Sequence, residues 1–215
     1  MSQYNYGFAF HAQLFAANGY VVVMANPRGS TGYGEDFGLA ILKNFGSKDS
    51  QDVIKGVDHA IDKGYSDPER LGVGGWSYGG ILTNQVITRT TRFKAATSGA
   101  SSSLSIANYG HDMYHRWYEY EFGLPWEGNN RDYYEKQSPL NEVAKIKTPT
   151  LLLCGEKDWN VPVINSEILY QSLKRLGIDT ELIVYPGQSH GGFPPSYNKD
   201  LYERYLAWFD KYLKY

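Results

Sequence analysis

Gly74-Gly75-Trp76-Ser77-Tyr78-Gly79-Gly80 separates two regular stretches of the chain. Before it, residues 71–75 form a short apolar run of strand length. After it, residues 81–90 continue with helical character. Residues 75–79 match the pattern G-x-S-x-G, and a strand before it with a helix after it is the context the pattern requires. The reason is steric: a serine lifted above a sheet edge sits on a sharp, strained turn, so the residues two positions away must be small. The same turn aims the backbone N–H of Tyr78 at a developing oxyanion. Gly74 and Gly80 extend the small-residue surroundings.

Outward from this turn, short apolar runs alternate with amphipathic helical stretches. That alternation predicts an α/β fold: a mostly parallel sheet flanked by helices. Helices are expected at 8–18, 50–63, 81–90, 163–176 and 199–213, and strands at 20–25, 71–75, 93–98, 150–155 and 181–185. In the first helix Phe8, Ala12 and Phe15 share a face. In the second Val53, Val57, Ala60 and Ile61 do so, and Gly64 stops it. Residues 26–34 are rich in turn formers. Residues 101–145 break the rhythm, being polar and aromatic with weak periodicity, and read as an excursion capping the sheet. With no linker or repeat, 1–215 reads as one catalytic domain.

A serine hydroxyl needs a base. In this architecture the order along the chain is serine, acid, histidine. His11 and His59 precede Ser77 and drop out on that ground. His190 lies in Gly187-Gln188-Ser189-His190-Gly191-Gly192, directly after the last expected strand, where a loop can reach the serine. His111 and His115 lie in the aromatic excursion and read as surface or pocket-lining imidazoles. The acid belongs after the preceding strand, in Cys154-Gly155-Glu156-Lys157-Asp158-Trp159. Asp158, at the apex of that loop, is preferred; Glu156, two residues nearer the strand, is the rival. The acid's task is to hold the imidazole tautomer.

The bulk composition narrows the function. The formal charge is −2, so no basic field suggests nucleic acid. No run approaches the ~18 apolar residues of a membrane span. Met1-Ser2-Gln3-Tyr4-Asn5-Tyr6-Gly7 lacks signal-peptide character. The single cysteine, Cys154, ends the run Leu151-Leu152-Leu153 and reads as a buried small hydrophobe. One cysteine permits no intrachain disulfide, which suits a reducing, cytoplasmic setting. Aromatic residues make up 15% of the chain, with 19 Tyr and 5 Trp, and many crowd into 109–134. Trp117, Tyr118 and Trp126 are therefore expected pocket walls, with packing of the excursion as the plainer reading. Tyr33 and Arg28 sit in the 26–34 loop near the catalytic edge, where turn structure is the plainer reading.

At these residues the chain resembles the prolyl oligopeptidase family of serine peptidases. The resemblance rests on the segment around Ser77, on Asn26-Pro27-Arg28-Gly29-Ser30-Thr31-Gly32-Tyr33-Gly34, and on Asp67-Pro68-Glu69-Arg70, Ser138-Pro139-Leu140 and Lys147-Thr148-Pro149-Thr150. The Asp158 and His190 loops match as well. Acylaminoacyl-peptidase-like and dipeptidyl-peptidase-like members are the most similar. The resemblance implies an α/β-hydrolase fold, a Ser77–Asp158–His190 triad acting on short or acylated peptides through an acyl-enzyme, and no metal or organic cofactor. It also sets two expectations of difference. The family's N-terminal β-propeller is absent, and so are its first hydrolase strands with the His-Gly-Gly-type loop that gives a second oxyanion donor. In the family's strand order, 1-2-4-3-5-6-7-8, the missing third strand lies between 20–25 and 71–75. A truncated form would cover its exposed edges by direct pairing of the remaining strands, by a homo-oligomer or by a complementing chain. It would also favour esters over peptides. Two rival functions stay open: a carboxylesterase acting on short-chain or aryl esters with the same triad, and an inactive assembly segment.

Overall fold

A computed structural model describes residues 4, 7 and 9–214. Phe8, where the first helix was expected to begin, and most of the heptapeptide read for a leader lie outside the described residues. Helix α1 covers Phe10–Ala17, and a short α2 covers Glu35–Leu39 beyond the turn-rich loop. Then follow α3 (Lys48–Asp62), β1 (Gly72–Trp76), α4 (Tyr78–Arg89) and β2 (Ala95–Gly99). The excursion forms α5 (Ser105–Tyr109), α6 (His115–Phe122), α7 (Asn130–Lys136) and a 3-10 helix at Pro139–Lys145. The chain closes with β3 (Thr150–Gly155), α8 (Ile164–Arg175), β4 (Thr180–Tyr185) and α9 (Pro195–Leu213).

The four strands form one parallel sheet in the order β1-β2-β3-β4. Gly72 pairs with Ala95, Ala96 with Thr150, and Thr150 with Thr180. The period-2 alternation of a strand splits the core in two. Ala95, Leu151, Leu153 and Tyr185 face α9, where Leu201, Trp208, Phe209 and Leu213 meet them. Ala96 and Leu152 face the other way, against Ile87 of α4 and Leu169 and Leu173 of α8. Cys154 is fully buried at the end of β3, and burial pushes its thiol up to about 12. Leu151 to Cys154 are all buried, as strands covered by helices on both faces require.

One predicted strand does not form. Among the described residues, 20–25 form no sheet pairing, and β1 pairs only with β2. A strand exists through hydrogen bonds to a neighbour ~4.8 Å away, and no described strand lies beside this run. The expected direct pairing of the remaining strands is therefore corrected. The segment is held by side chains instead. The Tyr20 ring packs at 5.8 Å from Phe15 and its hydroxyl donates to Asp210 of α9 at 2.5 Å. Val21, Val23 and Met24 remain exposed.

The excursion packs as an aromatic layer over the Ser77 end of the sheet. Phe122 and Tyr134 are fully buried, and Phe45, Tyr118 and the partly buried Tyr78 join them. Tyr78 follows the motif serine, so this layer is fastened to the turn itself.

Candidate active site

Ser77 occupies φ 59°, ψ −122°, a left-handed backbone that non-glycine residues rarely adopt. The turn is fixed from both sides. The N–H of Ser77 donates to the Gly99 carbonyl at 2.9 Å, and its carbonyl accepts from the N–H of Ile81 at 2.9 Å. The close approach requires glycine at two places. A Cβ on Gly75 would stand 2.4 Å from the Gly79 carbonyl carbon, and one on Gly80 would stand 2.5 Å from the Gly99 oxygen. Gly79 differs from expectation: a Cβ there meets nothing within 4 Å. The small-residue rule is thus steric at Gly75 and not at Gly79, whose Cβ would point into open space. Gly75→Ala should cost roughly 1–3 kcal/mol, an overpacking penalty. Gly79→Ala should be neutral or stabilising by a few tenths of a kcal/mol, because alanine is the better helix former. Denaturant melts of the two variants check the contrast, and equal losses would contradict it.

The Ser77 hydroxyl lies 2.8 Å from His190 Nε2, and His190 Nδ1 lies 2.8 Å from Asp158 Oδ2. The Asp158 carboxylate is fully buried. Its other oxygen, Oδ1, accepts from the N–H groups of Asn160 and Val161, both at 2.9 Å. The carboxylate is therefore locked at two edges. The rival Glu156 accepts from the N–H of Gly187 at 2.7 Å, so it braces the histidine loop. That loop is tied further by Lys157 N–H to the Gln188 carbonyl at 2.8 Å and by the Trp76 indole N–H to the His190 carbonyl at 2.9 Å. Gly155 permits the meeting of the two loops, since a Cβ there would sit 2.3 Å from the Ser189 carbonyl oxygen.

Beside Ser77 opens a cavity of about 260 Å³. Phe45, Ile81, Trp117, Tyr118 and Val161 give it apolar walls, and Ser102, Ser105 and Asn108 give it polar ones. Tyr78 also lines it. The Tyr78 hydroxyl donates to Asp49 at 2.6 Å, and burial with the Asp49 carboxylate holds it far above the ordinary phenol range. It stays a neutral donor that pins the elbow to α3.

The prolyl oligopeptidase family model, whose description reads "Peptidase_S9: Prolyl oligopeptidase family", matches residues 6–215. The chain belongs to the prolyl oligopeptidase family. A Bacillus subtilis (strain 168) relative described as uncharacterized peptidase YuxL is 38% identical over 98% of this chain and 33% of its own. The crystal structure of Pyrococcus horikoshii acylaminoacyl peptidase superposes with a TM-score of 0.92 at 33% identity, covering 100% of this chain and 36% of that one. An acylaminoacyl peptidase in complex with Z-Gly-Gly-Phe-chloromethyl ketone superposes at 0.81 with 33% identity, covering 88% and 31%. The chain thus spans about one third of the length of these relatives. Its four-stranded sheet belongs to the α/β-hydrolase fold of that family.

Within this family member, the expected pocket residues separate. Trp117 and Tyr118 line the cavity. Tyr33 stacks on Phe37 at 4.9 Å and its hydroxyl accepts from Asn26, while Trp126 is 71% exposed and edges onto Tyr109. Neither lines the cavity. Arg28 forks onto Asp52 through Nε at 2.8 Å and Nη2 at 2.7 Å, and its backbone N–H donates to the same carboxylate. It clasps the turn-rich loop to α3. His111 stacks on Trp159 at 5.2 Å, next to the acid loop. Phe45, Asp49, Asn108 and Gly155 escaped the sequence reading. Only Gly155 carried a signal, as a glycine ending a strand.

Proposed function

We propose that this chain is the hydrolase unit of a serine peptidase that cleaves short or N-acylated peptides through an acyl-enzyme. The observation that carries the reading is the unbroken chain Ser77 Oγ, His190 Nε2, His190 Nδ1, Asp158 Oδ2, with 2.8 Å at both hydrogen bonds. In this reading Nε2 takes the Ser77 proton as Oγ attacks the scissile carbonyl carbon. The buried Asp158 carboxylate holds the imidazolium that forms. The oxyanion develops toward the N–H of Tyr78, the first residue of α4, where helical N–H groups lack carbonyl partners. The imidazolium then protonates the leaving amine, and water, deprotonated by the same imidazole, releases the acyl group.

The cavity next to Ser77 suits an apolar or aromatic side chain on the acyl side of the cleaved bond. The relative that holds a Phe-chloromethyl ketone supports an aromatic residue there. A carboxylesterase with the same three residues is the second reading, and exposed Trp117 at the cavity mouth suits an acyl group equally. Parallel rates on an acetyl-peptide anilide and a nitrophenyl ester separate the two. The peptidase reading expects turnover of both. Turnover of the ester with the anilide untouched would make the esterase reading the correct one. Coverage of the exposed 20–25 run by a second copy or a complementing chain belongs to the same proposal.

A further inference from the structure

The polar wall of the cavity has a fixed hydrogen-bond polarity. The Asn165 side-chain oxygen accepts from two backbone N–H groups, those of Ser103 and Leu104, each at 3.1 Å. Backbone N–H groups can only donate, so the Asn165 amide has one allowed orientation. Its NH2 therefore faces Asn108 and donates to Oδ1 at 2.6 Å. That contact in turn orients Asn108, whose NH2 donates to the Ser102 hydroxyl at 2.6 Å and to the Tyr118 hydroxyl at 2.9 Å. Neither hydroxyl can donate back to that NH2, so each must place its proton elsewhere. The Tyr118 hydroxyl faces the buried Asp112 carboxyl. The Ser102 proton has no acceptor among the described residues, and Ser102 lines the cavity. Ser105 lines it too, and its hydroxyl also bonds to no described residue. Asn165, Asn108 and Ser102 are all buried, so the relay is built into the core.

We infer that this relay selects a substrate whose acyl-side residue is tyrosine over one carrying phenylalanine. The apolar walls take the ring. The phenolic oxygen accepts the Ser102 proton, and its own proton is free for Ser105, whose rotor can turn to accept it. A phenylalanine ring leaves the buried Ser102 donor unpaired, which is how a site built around a substrate hydroxyl rejects the analogue lacking it. The inference rests on the catalytic reading above for where the scissile bond lies, and on the hydrogen bonds alone for the polarity.

The test compares N-acetyl-Gly-Tyr and N-acetyl-Gly-Phe p-nitroanilides, read as the ratio of their kcat/KM values. A preference for tyrosine of roughly tenfold is expected, the scale of one neutral hydrogen bond. Ser102→Ala removes the donor and should bring the ratio to about one. Asn108→Asp should do the same by drawing the Ser102 proton onto a carboxylate and away from the cavity. A wild-type ratio of one or below, or a tyrosine preference that survives Ser102→Ala, overturns the inference. A second arm titrates Ser77→Ala with N-acetyl-tyrosinamide and N-acetyl-phenylalaninamide by calorimetry. No hydrolysis of either anilide with roughly tenfold tighter tyrosinamide binding would sink the catalytic reading and support the selectivity. Hydrolysis of both at equal rates, with equal binding, would do the reverse.

Discussion

With Ser77 as the proposed nucleophile, Ser77→Ala is expected to abolish hydrolysis, by roughly a millionfold in kcat, while the protein stays folded. The size of the loss follows from how a triad works: with the nucleophile gone, the base and acid have nothing to act on, and only the background catalysis of oxyanion donors and binding remains. The fold should survive for a local reason. Alanine keeps the Cβ that already occupies φ 59°, and among the described residues the Ser77 hydroxyl bonds only to His190. The strained backbone is imposed by the bonds of Ser77 N–H to Gly99 and of its carbonyl to Ile81, and neither involves the side chain. Stopped assays on a nitrophenyl ester, paired with a thermal melt, check both halves. Activity within a hundredfold of wild type in a folded variant would mean that another group attacks.

With Asp158 as the proposed triad acid, Asp158→Asn is expected to lower kcat by about ten-thousandfold although the change is isosteric. The Oδ1 position accepts from the N–H groups of Asn160 and Val161. Two backbone donors there oblige an asparagine to present its oxygen, because an NH2 would face two N–H groups. Its NH2 is then turned onto His190 Nδ1, which must accept. The imidazole proton moves to Nε2, the nitrogen 2.8 Å from the Ser77 hydroxyl, and a protonated Nε2 cannot take the serine proton. The loss is therefore one of tautomer, with the geometry intact. Nitrogen NMR of the His190 ring would show the proton on Nδ1 in the wild type and on Nε2 in the variant. A variant retaining more than a tenth of wild-type kcat, or with unchanged ring signals, would contradict the account.

Legibility in the sequence followed the range of the interactions. The elbow was readable because strand, turn and helix are contiguous in the chain, and its steric demand at Gly75 is local. β3 and β4 were readable because burial on both faces leaves an unbroken apolar run. Asp158 and His190 could be placed after those strands by order alone. The run at 20–25 misled for the opposite reason: its composition is that of a strand, but a strand needs a neighbour, and none is described beside it. The cavity was only half readable. Trp117 and Tyr118 stood out as aromatics, but so did Tyr33 and Trp126, and nothing in the sequence tells an inward ring from an outward one in short helices and the turns between them. Phe45 meets Phe122, 77 residues further on, and Asn108 meets Asn165, 57 residues further on. Such contacts exist only once the excursion has closed over the sheet.

An activated nucleophile at Ser77 would react with a fluorophosphonate. The most direct measurement is the mass of the intact protein after brief treatment with a fluorophosphonate, followed by peptide mapping. A single phosphonyl adduct is expected on Ser77, and none in His190→Ala. No adduct on the folded protein, or one placed on a different residue, would contradict it.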